Sequence, residues 1–253
     1  QRRASYALVR IYICVASGVP EMNVAIIPAR GGSKRIPGKN IKLFAGRPII
    51  FYSIQAAQKA GVFDRIIVST DSDEIADVAR KSGAEVPFMR PKELSDDMTP
   101  TALVLQHAIR WLEESDVIPY RICCIYATAP FVLPGYLRAG LEEIERTNVS
   151  SVFSVASFEF PILRGLKWGA DGCLSMMWPE YELTRSNDLP EAYHDAGQFY
   201  WLSVPSFLES GRLYGADARP VLIPRHLVQD IDTLEDWEQA ELMYEICKKK
   251  GLL

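Results

Sequence analysis

The sequence has no aspartate or glutamate between Met22 and Phe63, although the whole chain is acidic, with 28 Lys+Arg against 32 Asp+Glu. From residue 64 onward there are 18 cations against 31 carboxylates, so the excess of positive charge is local. A net charge of −4 argues against a general nucleic-acid binder, which needs many cations spread along a surface. The net charge does not exclude small anionic ligands. The acid-free stretch carries seven cations: Arg30, Lys34, Arg35, Lys39, Lys42, Arg47 and Lys59.

The chain also lacks a long apolar run and a paired cysteine spacing. The apolar part of residues 6–20 is short and is interrupted by Arg10, so we expect no membrane span. We interpret residues 1–21 as an extension or leader whose deletion leaves activity intact, and residues 22–253 as a single domain. The five cysteines are odd in number and are expected to be buried free thiols in a reducing cytoplasm.

The first loop does not have the spacing Gly-x-x-x-x-Gly-Lys-Ser/Thr or Gly-x-Gly-x-x-Gly, which disfavours a P-loop kinase and an ordinary dinucleotide enzyme. Residues 28–40 instead read Pro-Ala-Arg-Gly-Gly-Ser-Lys-Arg-Ile-Pro-Gly-Lys-Asn. Their cations can neutralise a triphosphate, and their glycines let the backbone approach an anion. We interpret the segment as a phosphate-binding loop; the alternative is a solvated basic turn. The residues concerned are Arg30, Lys34 and Lys39, with Gly31, Gly32 and Gly38.

Apolar runs and helical periods alternate along the first part of the chain, which predicts an α/β fold with a mostly parallel sheet and right-handed crossovers. Residues 28–40 then emerge at the carboxyl end of the first strand, where open sheets bind ligands. Helices are expected after Pro48, from a cap at Ser72, from a cap at Thr99, from Pro134 and near Thr233. Strands are predicted at residues 23–28, 65–70, 84–88, 121–126, 151–156, 198–204 and 221–223.

Residues 157–189 break this alternation, because they are aromatic and rich in turn residues. Asp171-Gly172 predicts a hairpin. The segment is too apolar for a solvated linker, so we interpret it as an insertion that packs on a neighbouring subunit in a homodimer.

Asp230 and Asp232 form an Asp-x-Asp pair near the end of the predicted core. In an extended segment this spacing puts both carboxylates on one side, where they can hold Mg²⁺ against nucleotide phosphates. The alternative is that one of them caps the helix that begins near Thr233.

Five stretches together resemble the CMP-nonulosonate cytidylyltransferases, the CMP-sialic acid synthetase family, over about residues 22–253. They are residues 28–40, 67–71 (Ile-Val-Ser-Thr-Asp), 86–94 (Val-Pro-Phe-Met-Arg-Pro-Lys-Glu-Leu), 188–190 (Asp-Leu-Pro) and 229–237 (Gln-Asp-Ile-Asp-Thr-Leu-Glu-Asp-Trp). The resemblance implies a Rossmann-like three-layer nucleotidyltransferase fold, CTP as co-substrate and Mg²⁺ as cofactor. It also implies that an acidic nine-carbon sugar attacks the α-phosphate and expels pyrophosphate.

The resemblance also implies roles for single residues. Arg30, Lys39 and Asp232 fall on catalytic positions. Arg90 matches a nucleotide contact, although a surface ion pair with Glu93 or Asp97 is its alternative. Further CTP contacts fall on Gly31, Gly32, Ser33, Lys34, Asn40 and Thr101, and the metal ligands on Asp230 and Asp232.

Two departures from the family pattern lie on the sugar side. Residues 126–130 read Tyr-Ala-Thr-Ala-Pro where Gln-Pro-Thr-Ser-Pro is usual, and residues 196–198 read Ala-Gly-Gln where Asn-Gly-Ala is usual. Residues 193–201 resemble the pseudaminic acid cytidylyltransferases of bacterial flagellar or surface glycans. Expected sugar contacts are Thr128, Arg185, Gln198 and His194, whereas Tyr126 and Phe199 can equally be core residues and His107 is expected to pack within a helix.

Three alternatives stay open at the level of sequence. A CMP-neuraminate or CMP-legionaminate synthetase would use the same phosphate and metal sites. A GT-A-like glycosyltransferase also pairs an α/β sheet with an Asp-x-Asp motif, but it does not account for residues 28–40. A non-catalytic nucleotide-binding protein is the third.

Overall fold

The structure is a computed structural model that describes residues 22–253; the leader predicted at residues 1–21 lies outside the described residues. Its centre is a six-stranded sheet with the order β6-β4-β5-β3-β1-β2. The strands are β1 (Met22–Pro28), β2 (Arg65–Ser69), β3 (Pro119–Ile125), β4 (Ser151–Ser157), β5 (Tyr193–Ser203) and β6 (Arg219–Leu222).

The sheet is mostly parallel, as predicted, with one reversed strand. Strand β1 pairs in parallel with β2 and β3, and β6 pairs in parallel with β4. Strand β5 runs antiparallel to both of its neighbours, β3 and β4. Residues 158–192, which contain no crossover helix, connect β4 to β5. Because two parallel neighbours need a crossover connection, the absence of a helix here agrees with the antiparallel direction of β5.

Helices cover both faces of the sheet and produce three layers. Strand residues alternate between the two cores: Ala25 and Ile27 point to one, and Val24 and Ile26 to the other. Helices α1, α2, α4 and α6 pack in the first core, and α3 and α5 in the second. The helices are α1 (Ile49–Ala60), α2 (Asp73–Lys81), α3 (Thr101–Glu114), α4 (Pro134–Thr147), α5 (Val204–Ser210) and α6 (Leu234–Lys249).

Side chains at the helix ends explain several of these boundaries. The Ser72 hydroxyl accepts a hydrogen bond from the Ile75 amide, 3.4 Å away, and caps α2 as predicted. Helix α6 begins with a capping box between Thr233 and Asp236. Neither Asp230 nor Asp232 caps this helix, so the alternative reading of that pair is wrong.

Two local predictions are wrong. Residues 84–88 form no strand; only isolated bridges, at Glu85 and Met89, connect this segment to β2 and to Thr70. Pro87 lies between them and has no amide hydrogen to donate, which interrupts the pairing. The N-cap position of helix α3 is Pro100, which provides no side-chain hydrogen bond, and the Thr99 hydroxyl donates to Asp96 instead of capping the helix.

Residues 157–189 contain the predicted hairpin. Its two short strands, Leu166–Trp168 and Leu174–Met176, pair antiparallel, and Gly172 in the turn has a φ of 80°. This positive φ is the conformation that glycine tolerates best. The hairpin region exposes large apolar side chains, including 78% of Trp168 and 96% of Leu183.

Among the described cysteines, Cys123, Cys124 and Cys247 are free and buried, as expected, whereas Cys173 in the hairpin turn is free but exposed. Cys14 lies outside the described residues. In residues 22–253, no helix combines the length and the apolar character needed to cross a membrane.

Candidate active site

A cleft of about 490 Å³ opens beyond the carboxyl ends of β1 and β3. Its position agrees with the expectation for an open α/β sheet. Its lining brings together residues that are far apart in the sequence, from the first loop, the segment before α3, the end of β3 and the segment before α6. The polar lining residues are Arg30, Ser33, Lys34, Arg35, Lys39, Asn40, Arg90, Asp96, Asp97, Thr99, Thr101, Tyr126, Thr128 and Asp232.

The first loop is held in place by its own backbone and side chains. A Cβ on Gly31 would lie 3.1 Å from the Ser72 Cβ, and Gly38 has a φ of 63°, so both positions favour glycine. The Asn40 amide donates a 2.9 Å hydrogen bond to the Arg30 carbonyl and fastens the end of the loop to its beginning. Gly32, by contrast, has open space, because a Cβ there would lie 3.9 Å from the Arg30 guanidinium.

Two of the predicted phosphate-binding cations are paired with the same carboxylate. Arg30 and Lys34 both form ion pairs with Asp97, which lies in the segment between Arg90 and α3. Hydrogen bonds from Lys34 and Arg30 lower the pKa of Asp97, so its anionic form is stabilised. Asp97 therefore provides a negative charge where the sequence predicts a phosphate.

The predicted catalytic lysine and aspartate form an ion pair in the lining of the cleft. Lys39 Nζ lies 3.4 Å from Asp232 Oδ1, and Arg35 Nη1 lies 2.8 Å from Asp232 Oδ2. The capping box of α6 also positions Asp232, because the Asp236 carboxylate accepts a 3.0 Å hydrogen bond from the Asp232 amide. The loop after β1 and the segment before α6 thus form two halves of one charged site.

One of the two predicted metal ligands, Asp232, lies where it could share a magnesium ion with a substrate. Asp230 is exposed and does not line the cleft, and Asp232 lines it. Within residues 22–253, no group of three His, Cys, Asp or Glu side chains could hold a metal. Mg²⁺ is commonly bound by one or two carboxylates together with waters and substrate phosphates, and this donor set fits that pattern.

Arg90 is a buried cation at the edge of the cleft. Only 3% of its side chain is exposed, and its Nη2 has no hydrogen-bond partner among the described residues. The nearest carboxylate is Asp71, 3.8 Å away, while Nε donates to Ser95; the alternative pairs with Glu93 and Asp97 do not form. Burial lowers the pKa of Arg90, as expected for a guanidinium with little compensation. A hydrogen-bond acceptor on a ligand would satisfy Arg90 Nη2.

The remaining wall of the cleft is neutral and polar. Thr101, at the start of α3, and Thr128, after β3, both line it. Tyr126 also lines it, with its hydroxyl 3.4 Å from that of Thr101. His107, also on α3, is not part of the cleft lining. Its ring packs edge-on against Phe88, and burial lowers its pKa. This agrees with the predicted packing role of His107.

Three of the predicted sugar contacts lie outside the cleft lining. Arg185 is exposed and pairs with Asp188, and His194 packs against Phe158 at the start of β5. Gln198 is buried, and its side chain donates a 2.6 Å hydrogen bond to the Leu227 carbonyl. Of the four predicted sugar contacts, only Thr128 is brought to the cleft, so the sugar roles of the others remain predictions.

Sequence reasoning missed several polar residues at the site. The sequence shows Arg35 only as one more cation of the loop, and it suggests Asp97 only as a partner of Arg90. Asp71 was part of a matched motif, but it also accepts a 2.8 Å hydrogen bond from the Gly31 amide and braces the loop. The position of Arg35 within the cationic loop could have identified it as a site residue. Asp97 and Asp71 are distant from the loop in sequence, so only the three-dimensional fold reveals their contacts with it.

The chain matches the protein-family model "Cytidylyltransferase" over residues 24–200. It is 41% identical over 224 residues to a protein of Campylobacter jejuni named pseudaminic acid cytidylyltransferase, covering 88% of this chain and 97% of that protein. It is 32% identical over 228 residues to the CMP-N,N'-diacetyllegionaminic acid synthase of Legionella pneumophila, covering 88% of this chain and 96% of that protein.

A solved structure has a similar fold. It is a CMP:2-keto-3-deoxy-manno-octonic acid synthetase complexed with CTP, with a TM-score of 0.63 and 15% identity, covering 89% of this chain and 99% of that one. Because the identity is only 15%, this structural similarity is evidence for the fold alone. The family assignment rests on the sequence matches. The chain belongs to the cytidylyltransferase family.

Proposed function

We propose that this enzyme transfers the cytidylyl group of CTP to pseudaminic acid, producing CMP-pseudaminic acid and pyrophosphate. The observation that carries the proposal is the cleft itself, in which the cations of residues 28–40 face Asp232 in one site. The sugar is proposed from the 41% identical relative that is named for it. Residues 193–201, which resemble the same group of enzymes, agree with this choice.

Each charged residue has a task in this reaction. Transfer at a phosphorus centre depends on positioning and on neutralising the charge that develops on the phosphate oxygens. Arg30, Lys34 and Lys39 would bind the triphosphate and stabilise the departing pyrophosphate. Arg90, which lacks an acceptor for Nη2 within the described chain, would bind another part of the nucleotide.

Asp232 would hold Mg²⁺ in this scheme, together with waters and substrate phosphates, and Asp230, which lies outside the cleft lining, stays a predicted second ligand. When bound, the ion neutralises phosphate charge and orients the triphosphate. The salt bridges of Asp232 with Arg35 and Lys39 would then be exchanged, which would release both cations towards the phosphates.

The direct test is a pyrophosphate-release assay with purified protein and Mg²⁺. CTP, UTP and ATP are each combined with pseudaminic, N,N'-diacetyllegionaminic and N-acetylneuraminic acid. We expect the highest kcat/KM for CTP with pseudaminic acid. A higher value with either of the other sugars would overturn the choice of sugar but retain the reaction.

Two other outcomes would overturn the reaction itself. Calorimetric binding of CTP without turnover on any sugar would indicate a nucleotide-binding protein without catalysis. Transfer of a sugar from an activated nucleotide to another acceptor, without pyrophosphate release, would indicate a GT-A-like glycosyltransferase.

We also propose a homodimer that acts in the cytoplasm. The exposed apolar side chains of residues 157–189 support an interface there, since isolated proteins rarely expose contiguous apolar patches of this kind. The free thiols of Cys123, Cys124 and Cys247 support a reducing compartment.

A further inference from the structure

Asp71 contacts two separate parts of the site, although it does not line the cleft itself. It follows strand β2, and its Oδ1 accepts a 2.8 Å hydrogen bond from the Gly31 amide. The same oxygen lies 3.8 Å from Arg90 Nη2. Gly31 belongs to the loop at residues 28–40, and Arg90 belongs to a distant segment of the sequence that lines the cleft. One carboxylate oxygen therefore lies between the cationic loop and a buried cation.

The contact with Gly31 seats the loop on the turn between β2 and α2. A Cβ on Gly31 would lie 3.1 Å from the Ser72 Cβ, so glycine permits this close approach. The Gly31 amide already donates to Asp71, and Gly31 is not part of the cleft lining. Side chains that do line the cleft, such as Arg30 and Lys34, are then the donors that the loop offers to phosphates. Their positions depend on how the loop is seated.

The contact with Arg90 offsets part of the cost of burying a cation. Burial lowers the pKa of Arg90, and the negative charge of Asp71 opposes this shift. The backbone holds the two residues close together, because the Arg90 amide donates a 2.7 Å hydrogen bond to the Thr70 carbonyl. A separation of 3.8 Å is too long for a hydrogen bond, so Nη2 stays available for an acceptor on a ligand.

Asp71 differs in this respect from Asp97. Asp97 lines the cleft and forms ion pairs with Arg30 and Lys34, so a phosphate that binds these cations has to displace it. Asp71 lies outside the lining and makes no hydrogen bond with Nη2 of Arg90, so a nucleotide can bind there without displacing Asp71. The two carboxylates are therefore expected to have opposite effects on nucleotide binding.

We propose that Asp71 is a positioning residue that holds Arg90 and the loop at residues 28–40 in the geometry that binds a nucleotide. It acts on the loop through the Gly31 amide and on Arg90 through its charge. The inference rests on the proposed cytidylyl transfer and adds to it a residue that touches neither substrate. It also fixes the sign of an effect. Removal of a negative charge beside an anion site would by itself strengthen CTP binding, whereas loss of positioning weakens it.

Two substitutions separate the two contacts in the full-length protein, with binding measured by calorimetry without sugar. Asp71→Asn keeps an oxygen that can accept from Gly31 but removes the charge beside Arg90, and Asp71→Ala removes both. We expect Asp71→Asn to weaken CTP binding about fivefold and Asp71→Ala about 25-fold, since each lost contact corresponds to about 1 kcal/mol. Pyrophosphate, which the loop would bind in the proposed reaction, is expected to bind about fivefold more weakly to Asp71→Ala only.

A double-mutant cycle with Arg90→Met tests the charge contact. In that background Asp71→Asn is expected to cause no further loss of CTP affinity, because the charge no longer has a partner to position. The control is Asp73→Asn, which removes the same charge from an exposed residue in the first turn of α2, outside the cleft lining. We expect its CTP affinity to equal that of the wild type. Thermal melts identify the temperature below which all variants are folded, and binding is measured there.

Unchanged or tighter CTP binding by Asp71→Asn would overturn the inference, and so would penalties of Asp71→Asn and Arg90→Met that simply add. An unaltered pyrophosphate affinity in Asp71→Ala would overturn the contact with the loop. If Asp71→Ala does not fold, Asp71→Asn and the cycle still decide the role of Asp71. A wild type that binds CTP but releases no pyrophosphate with any sugar would overturn the proposed function, whereas the binding measurements assess the positioning role separately.

Discussion

Lys39 is the residue whose charge is best placed to act on the triphosphate. Its side chain is 18% exposed and lines the cleft, and its Nζ lies 3.4 Å from Asp232 Oδ1. We expect Lys39→Ala to lower kcat/KM at least about 100-fold, since one donor to developing charge contributes roughly that much. Steady-state assays of pyrophosphate release measure this change in kcat/KM.

The matched control for this change is Lys42→Ala. Lys42 belongs to the same acid-free stretch but lies over the Trp237 ring rather than in the cleft. A similar loss in both variants would mean that Lys39 acts through the general charge of the loop and not through contact with phosphate.

Asp232 connects the cationic loop to the proposed metal. We expect Asp232→Asn to raise the Mg²⁺ concentration needed for half-maximal rate by tenfold or more, because the amide is a neutral and weaker ligand for a hard cation. A magnesium titration of turnover at saturating CTP measures this. Glu235→Gln, in the first turn of α6, changes the same charge without entering the cleft. An unaltered titration of the Asp232 variant would contradict its role as a ligand.

We expect Asp97 to compete with the nucleotide for Arg30 and Lys34, because it forms ion pairs with both. Its pKa is lowered by both partners, so the ion pairs are present at neutral pH and are lost only as the pH falls through that lowered value. We expect Asp97→Asn to bind CTP several-fold more tightly near pH 7, and calorimetry without sugar measures this. Asp96→Asn is a poor comparison, since Asp96 shapes the turn through Thr99; Glu93→Gln, outside the cleft lining, is the control. Weaker binding by the Asp97 variant would show that Asp97 organises the site instead.

At the scale of single elements, helix α4 is held against β5 by a close contact. A Cβ on Gly140 would lie 2.6 Å from Cδ1 of Trp201, and this ring is fixed because its Nε1 donates to the Leu137 carbonyl. Overpacking costs about 1–3 kcal/mol and exceeds the gain of at most ~1 kcal/mol in helix propensity. We therefore expect Gly140→Ala to lower the free energy of unfolding, measured by urea denaturation.

Gly135→Ala is its control within the same helix. A Cβ at Gly135 meets nothing closer than the Arg138 guanidinium, 4.0 Å away, so this change is expected to be neutral or slightly stabilising. Equal stability of the two variants would contradict the packing argument.

The elements show what a sequence can and cannot reveal about this fold. Apolar runs and caps predicted β1 and the cap of α2, because these depend on neighbours in the chain. The segment at residues 84–88 had a strand-like composition, but Pro87 removed the hydrogen bond that a strand needs. The reversal of β5 depends on which strands it reaches, and no local pattern records that.

The site was predictable to a similar extent. The charges of residues 28–40 and the Asp-x-Asp pair identified Lys39 and Asp232, and the fold brings them together. Gln198 was harder to interpret, because Gly197 has a φ of 63° and the pairing of β4 with β5 shifts register nearby, which changes the face that a side chain reaches. Asp97 meets Arg30 across 67 positions of sequence, a contact that only the fold determines.

For the whole molecule, the hairpin region is the feature that a single chain leaves unexplained. Phe160 and Trp168 are 75% and 78% exposed, and the nearby Leu174 is also exposed. Water contact with this much apolar surface is unfavourable at about 25 cal/mol per Å². A dimer that covers the hairpin would remove this penalty, provided that the interface reaches the roughly 1,200–2,000 Å² of stable complexes.

We expect the wild type to sediment as a dimer at micromolar concentration, and Trp168→Glu to sediment mainly as a monomer, because the variant would bury an unpaired carboxylate at the interface. Leu242→Glu is the control, since Leu242 is 68% exposed on α6, far in sequence from the hairpin, and the charge change is the same. If the variant is monomeric and also loses activity, residues of the hairpin region such as Arg185 become candidates for completing the neighbouring subunit's sugar site. A wild type that sediments as a monomer would contradict the proposed dimer, and dissociation of the Leu242 variant alone would move the interface to α6.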